Sequence, residues 1–122
     1  MNIRRVVPDI KSDHIDESRD FYVGFLGFQV GMDMGWVITF VSPSNPTAQI
    51  TLFRDDESAT VQPQISIEVD NVDQSHAKAV ERGLTIIYPL TDGPWGVRRF
   101  FVADPNGVVI NVMSHAEHSR GR

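Results

Sequence analysis

The chain repeats itself. In DHIDESRDFYVGFLGFQV, which begins at Asp13, the residues Asp13, Asp16 and Ser18 match Asp70, Asp73 and Ser75 of DNVDQSHAKAVERGLTII at a constant offset of 57. Gly27 then matches Gly83 at an offset of 56, so the first copy carries one extra residue. An offset close to half of a 122-residue chain is the mark of a duplicated module. The fold must therefore be one that half the chain can build and that can be built twice.

Each copy reads in the same order. An apolar stretch comes first, IRRVVPDI in copy one and QISIEV in copy two. In the second of these Gln64, Ser66 and Glu68 alternate with Ile65, Ile67 and Val69, the period of a half-buried strand. Glu68 is expected at the surface. A short helix follows, with Asp16 and Asp73 as expected N-caps. Its expected buried face is Phe21, Val23, Phe25 and Leu26 in copy one and Ala77, Val80 and Leu84 in copy two. Gly27 and Gly83 stand where helices stop. Three strands then complete each copy: FQVGMDM, WVITFVS and AQITLFR in the first, LTIIYPL, RRFFVAD and VVINVMS in the second. The last two are joined by Asp104-Pro105-Asn106-Gly107, a turn in which Pro105 presets φ and Gly107 accepts a backbone other residues resist. Each module is thus βαβββ, and the class is α+β, with helices packed on curved sheets. The expected organisation is a single domain over 1–122, with module one at about 1–55 and module two at about 62–115.

A chain with 41% hydrophobic and 22% charged residues can form a real core. Its net charge of −5 argues against a nucleic-acid backbone as partner and suits a neutral or cationic ligand. The absence of cysteine excludes disulfides, thiolate metal sites and a cysteine nucleophile, and is compatible with the cytoplasm, where the protein is expected. MNIRRVVPDI has no long apolar run after its arginines, so neither a signal peptide nor a membrane span is expected.

SRDFYVGFLGF, VDNVDQSHAKAVERG and PWGVRRFFVADPNGVVINV, in this order and on a duplicated frame, resemble the vicinal oxygen chelate superfamily. This is the group of glyoxalase I, bleomycin-resistance proteins and extradiol dioxygenases. The resemblance covers nearly the whole chain and implies paired βαβββ modules whose curved sheets form a cup. It also implies a homodimer, and in the enzymes of the group a divalent metal held by His or Glu from the first and last strands of each module.

Counting from the matched motifs, the resemblance places the four ligand positions at Val7, Thr51, Gln64 and Asn111, with Gln49 in place of Thr51 if the register slips by two. Valine cannot coordinate, and neutral amide and hydroxyl oxygens are poor ligands for Zn²⁺, Fe²⁺ or Mn²⁺. No catalytic metal and no other cofactor is therefore expected, and no catalytic residue is assigned. Asn111 can still donate and accept hydrogen bonds to a ligand.

The residues expected to contact that ligand are Trp36, Phe40, Gln64, Trp95 and Asn111. Trp36 follows Gly35 and Trp95 precedes Gly96, and both can stack on planar groups or cations. Phe40 alternates with Ile38 and Trp36 on one face of a strand, so if Trp36 lines the cup Phe40 is expected to line it too. Arg98 and Arg99, adjacent on a strand, must point to opposite faces. The expected function is a small-molecule binding protein, an antibiotic being one such ligand, nearest the bleomycin-resistance branch. The alternatives are a metal-dependent lyase, isomerase or dioxygenase of the same group, or a domain with no small-molecule role.

Overall fold

The structure, a computed structural model, describes residues 1–54, 61–93 and 96–115. Its elements follow the repeat. The first half has β1 (Ile3–Lys11), α1 (Ile15–Arg19) running into a wider π-helical turn (Asp20–Phe25), β2 (Gln29–Asp33), β3 (Val37–Val41) and β4 (Gln49–Phe53). The second has β5 (Ile65–Val69), α2 (Val72–Glu81), β6 (Ile86–Asp92), β7 (Val97–Ala103) and β8 (Val109–His115).

All eight strands form one open curved sheet in the order β2-β3-β4-β1-β5-β8-β7-β6. The order is symmetric about the β1–β5 pair. These two first strands run antiparallel, with Val7 opposite Ser66. Each lies parallel to the last strand of its own half, with Asp9 opposite Thr51 and Ser66 opposite Asn111. Both halves of the cleft therefore come from one chain.

Helices cover one face of the sheet in each half. Ile38, Phe40 and Leu52 pack under Ile15, Tyr22 and Val23, and the Tyr22 ring stacks on Phe40 at 5.1 Å between centroids. Val69, Phe100 and Val112 pack under Val72 and Ala79 of α2. Fully burying a ring such as Phe40 contributes about 2–3 kcal/mol.

The extra residue of copy one has a structural place. The first helix, five α-helical and six π-helical residues, is one residue longer than the ten of α2. Leu26 N–H donates to the Phe21 carbonyl, five residues back, at 3.1 Å. A π turn is how a helix absorbs one added residue without moving its ends. Both helices then stop at a glycine with positive φ, Gly27 at 85° and Gly83 at 67°.

The helix details correct several expectations. The first helix starts after His14 and the second after Asn71, not at Asp16 and Asp73. The Asn71 side chain accepts from Gln74 N–H at 3.1 Å. With Val72 as first helical residue, the inward stripe is Val72, Ser75 and Ala79, while Val80 and Leu84 are exposed. The π turn advances less per residue than an α turn, so Tyr22 and Val23 meet the sheet and Phe21, Phe25 and Leu26 turn outward. The Asp104–Gly107 turn forms as expected, with Gly107 N–H donating to the Asp104 carbonyl at 3.0 Å and Gly107 at φ 80°.

Candidate functional site

The face of the sheet away from the helices is concave and holds a cavity of about 390 Å³. Strand alternation decides what lines it: Arg5, Val7 and Asp9 of β1, Val37, Thr39 and Val41 of β3, Ser66 and Glu68 of β5, Val97 and Arg99 of β7, and Asn111 and Met113 of β8. The volume lies at the small end of the range for small-molecule sites, roughly 300–1,000 Å³, and suits one compact ligand.

A line of hydrogen bonds crosses the centre. Asn111 Nδ2 donates to Ser66 Oγ at 2.9 Å, and Ser66 Oγ donates to Asp9 Oδ2 at 2.6 Å. An ionised carboxylate only accepts, so the single hydroxyl hydrogen of Ser66 is donated to Asp9 and the Ser66 oxygen accepts the hydrogen bond from Asn111. Asn111 Oδ1 is left buried with no hydrogen-bond partner among the described residues. Burial pushes the Asp9 carboxyl up, to about 6, against the opposing pull of the Ser66 hydrogen bond and of the Arg5 and Arg99 charges.

A second polar group lies beside the first. Arg5 Nε meets Glu68 Oε1 at 2.6 Å, and Arg5 also bonds the Gln49 side-chain oxygen. His115 Nε2 stands 3.6 Å from Glu68. Arg99, 3% exposed, places its guanidinium 5.4 Å from the Tyr88 ring centre and 5.2 Å from that of Phe101. The described arginines and acids of the wall, Arg5 and Arg99 against Asp9 and Glu68, balance in charge. The chain's acidic excess is thus not expressed in the cup.

Trp36 and Asn111 line the cavity together. Phe40 does not: it is fully buried on the helix side under Tyr22. Trp36 precedes β3, outside the alternating run, so its side of the sheet says nothing about that of Phe40. Gln64 is also displaced from the expected place. It is exposed just before β5, and its Oε1 accepts from Val109 N–H at 3.1 Å. Trp95 lies outside the described residues. Glu68, expected at the surface, is 7% exposed and held by Arg5. The two arginines divide as alternation requires, with Arg99 in the cup and Arg98 on the helix side bonded to Asp73 at 3.1 Å.

The four positions implied for a metal do not fit one. Val7, Thr51 and Asn111 reach the wall but offer no anionic or imidazole donor, and the Gln64 oxygen is engaged by Val109. Among the described residues no three His, Asp or Glu side chains gather as metal donors. The polar centre sits two residues further along each first strand, at Asp9 and Ser66. The pair is separated by 57, as are Val7 and Gln64, so the repeat offset makes the two positions equivalent but does not single them out.

The profile of the Glyoxalase/Bleomycin resistance protein/Dioxygenase superfamily matches residues 5–112. Among curated proteins no sequence relative is found. Solved structures share the fold. One described as an NAD-dependent benzaldehyde dehydrogenase from Legionella pneumophila is 20% identical with a TM-score of 0.70, over 90% of this chain and 98% of that one. A glyoxalase/bleomycin resistance protein/dioxygenase superfamily member from Vibrio splendidus 12B01 is 18% identical with a TM-score of 0.67, over 93% and 99%. A methylmalonyl-CoA epimerase from Streptomyces coelicolor, in complex with 2-nitronate-propionyl-CoA, is 18% identical with a TM-score of 0.71, over 94% and 99%. At such identities the likeness is one of fold, on which many chemistries are built. The matched profile spans the strands that build the cup, and the chain belongs to the glyoxalase/bleomycin resistance protein/dioxygenase superfamily.

Proposed function

We propose that the cup binds one compact, partly apolar molecule without a catalytic metal, in the manner of the bleomycin-resistance branch. The observation that carries this reading is the donor set: Val7, Thr51, Gln64 and Asn111 stand where the family's enzymes are expected to hold a metal, and none is a carboxylate or imidazole. Trp36, Met32 and Met113 supply apolar and polarisable wall, and Asn111 supplies the buried polar contact. The balanced wall favours a neutral ligand over the cationic one that net charge alone suggests. The division into modules at about 1–55 and 62–115 is part of this reading. So is a homodimer, for which Val6 and Ile10, 51% and 42% exposed on the helix side of β1, offer an apolar row to cover.

Trp fluorescence titrated with planar compounds, in parallel with divalent metals, tests the reading. Saturable quenching without metal that is lost in Trp36→Phe supports it. Stoichiometric metal uptake abolished by Asn111→Ala, with no response to any compound, returns the chain to the metal-dependent enzymes.

A second reading rests on Asp9, a carboxyl raised to about 6 on a cavity wall, where a general base would stand. It predicts Asp9-dependent exchange of an acidic C–H of a bound compound with deuterated water. No exchange above the Asp9→Asn background removes it.

A further inference from the structure

We infer that the floor of the cup recognises a hydroxyl group: an alcohol or phenol O–H on an apolar body, donating to Asp9 Oδ1 and accepting from the hydroxyl pair of Thr39 and Thr51. The inference rests on the binding reading above and adds the chemical class of the ligand.

Strand pairing lays a polar row across the floor. Thr39 of β3 stands opposite Thr51 of β4, and Thr51 opposite Asp9 of β1, all three on the cup side. Each side of the step from Thr51 to Asp9 has bonding capacity to spare. Ser66 takes Asp9 Oδ2 at 2.6 Å, while Asp9 Oδ1 has no hydrogen-bond partner among the described residues. Asp9 is only half-buried, and this oxygen is open to solvent, unlike the enclosed oxygen of Asn111. A carboxylate only accepts, so Oδ1 calls for a donor. Thr39 Oγ1 and Thr51 Oγ1 lie 2.8 Å apart and have no other partner among the described residues. Two hydroxyls carry two hydrogens and their mutual bond uses one, so the pair has one left to donate. Neighbouring strands stand about 5 Å apart, which puts a single oxygen between Asp9 and the threonine pair within reach of both. A hydroxyl donates and accepts at one atom. An ether or carbonyl would set another acceptor against the carboxylate, and an aromatic or amide N–H would leave the threonine hydrogen unmet. Val37 and Phe53, opposite each other beside the threonine pair, and Val7, next to Asp9 on the same face of β1, seat the apolar body.

The test uses phenol, anisole and toluene on the full chain, at a pH well above the Asp9 value of about 6, with affinities read from NMR shifts of the Trp36 indole and the Met113 methyl. Phenol donates and accepts, anisole only accepts, and toluene does neither. Phenol is expected to bind about tenfold tighter than either. In Asp9→Leu its advantage over anisole should fall below about twofold while toluene, which needs neither bond, still binds. An advantage over anisole that persists in this variant reflects size alone and overturns the inference. In the double variant Thr39→Val with Thr51→Val, the advantage of phenol over toluene should shrink about threefold; an unchanged advantage there overturns the bridging position. Equal affinities for phenol and toluene in the unaltered protein overturn the inference and leave the binding reading standing. If no probe moves either signal, the binding reading falls and the inference with it.

Discussion

Ser66 donates to Asp9 at 2.6 Å across the β1–β5 pair, and the two residues occupy the same place in the two repeats, 57 apart. The duplication therefore meets itself at the centre of the cup. One copy contributes the carboxylate and the other the hydroxyl that orients Asn111.

The raised Asp9 carboxyl makes stability depend on pH in a defined direction. Its pKa is about 6 when folded against an ordinary value of 3.8, so the folded chain binds more protons than the unfolded one between these limits. Stability is expected to fall as pH rises through that window, by up to about 3 kcal/mol from this group. Chemical denaturation across the window should show the slope in the unaltered protein and its loss in Asp9→Asn. An identical slope in both would assign the effect elsewhere.

Glu68 is nearly buried against Arg5, so removing one partner strands the other. Glu68→Ala should cost about 2 kcal/mol, less than for a fully enclosed pair because Arg5 keeps some contact with water. The double change Arg5→Met with Glu68→Leu should recover most of the loss. A double-mutant cycle in urea measures the coupling, and additive losses would show that the pair is not coupled.

Phe40 and Trp36 lie on opposite sides of the sheet and should respond differently. Phe40→Ala opens a cavity under Tyr22 and is expected to destabilise by about 3–5 kcal/mol. Trp36→Phe should change stability by under about 1 kcal/mol while altering the fluorescence response to ligands. Comparable losses in both would contradict the two-sided arrangement.

Gly107 closes the β7–β8 turn at φ 80°, with open space where a Cβ would stand. Gly107→Ala should therefore cost about 1 kcal/mol through backbone conformation alone, with no clash. Asp104 accepts from Asn106 and Val108 N–H at 2.8 and 2.9 Å, and these bonds, the Val108 one foremost, hold its carboxyl below the usual range. Its contribution is present above its ordinary pKa and is lost as pH falls through the depressed value. Asp104→Ala should flatten that acid limb, read by thermal unfolding at low pH.

The strand periods and the Asp104–Gly107 turn were legible because a period of two and a Pro–Asn–Gly turn depend only on neighbours in sequence. The repeat was legible because a 57-residue offset shows when the chain is compared with itself, with no knowledge of how it folds. Even the added residue of copy one was visible as a change of offset from 57 to 56, although only the structure shows it as a π turn. What the sequence could not decide was which face of each strand becomes the cup. Alternation gives two faces and no sign, so Phe40 could not be told from Thr39 until the helices were seen to pack on one side. Nor could it place Glu68 and Asp9 beside arginines distant in the chain, since burial of a charge is set by the partners that tertiary pairing brings to it. The chain specified two copies of one module; the antiparallel pairing of their first strands made the cup and put Asp9, Ser66 and Asn111 in line.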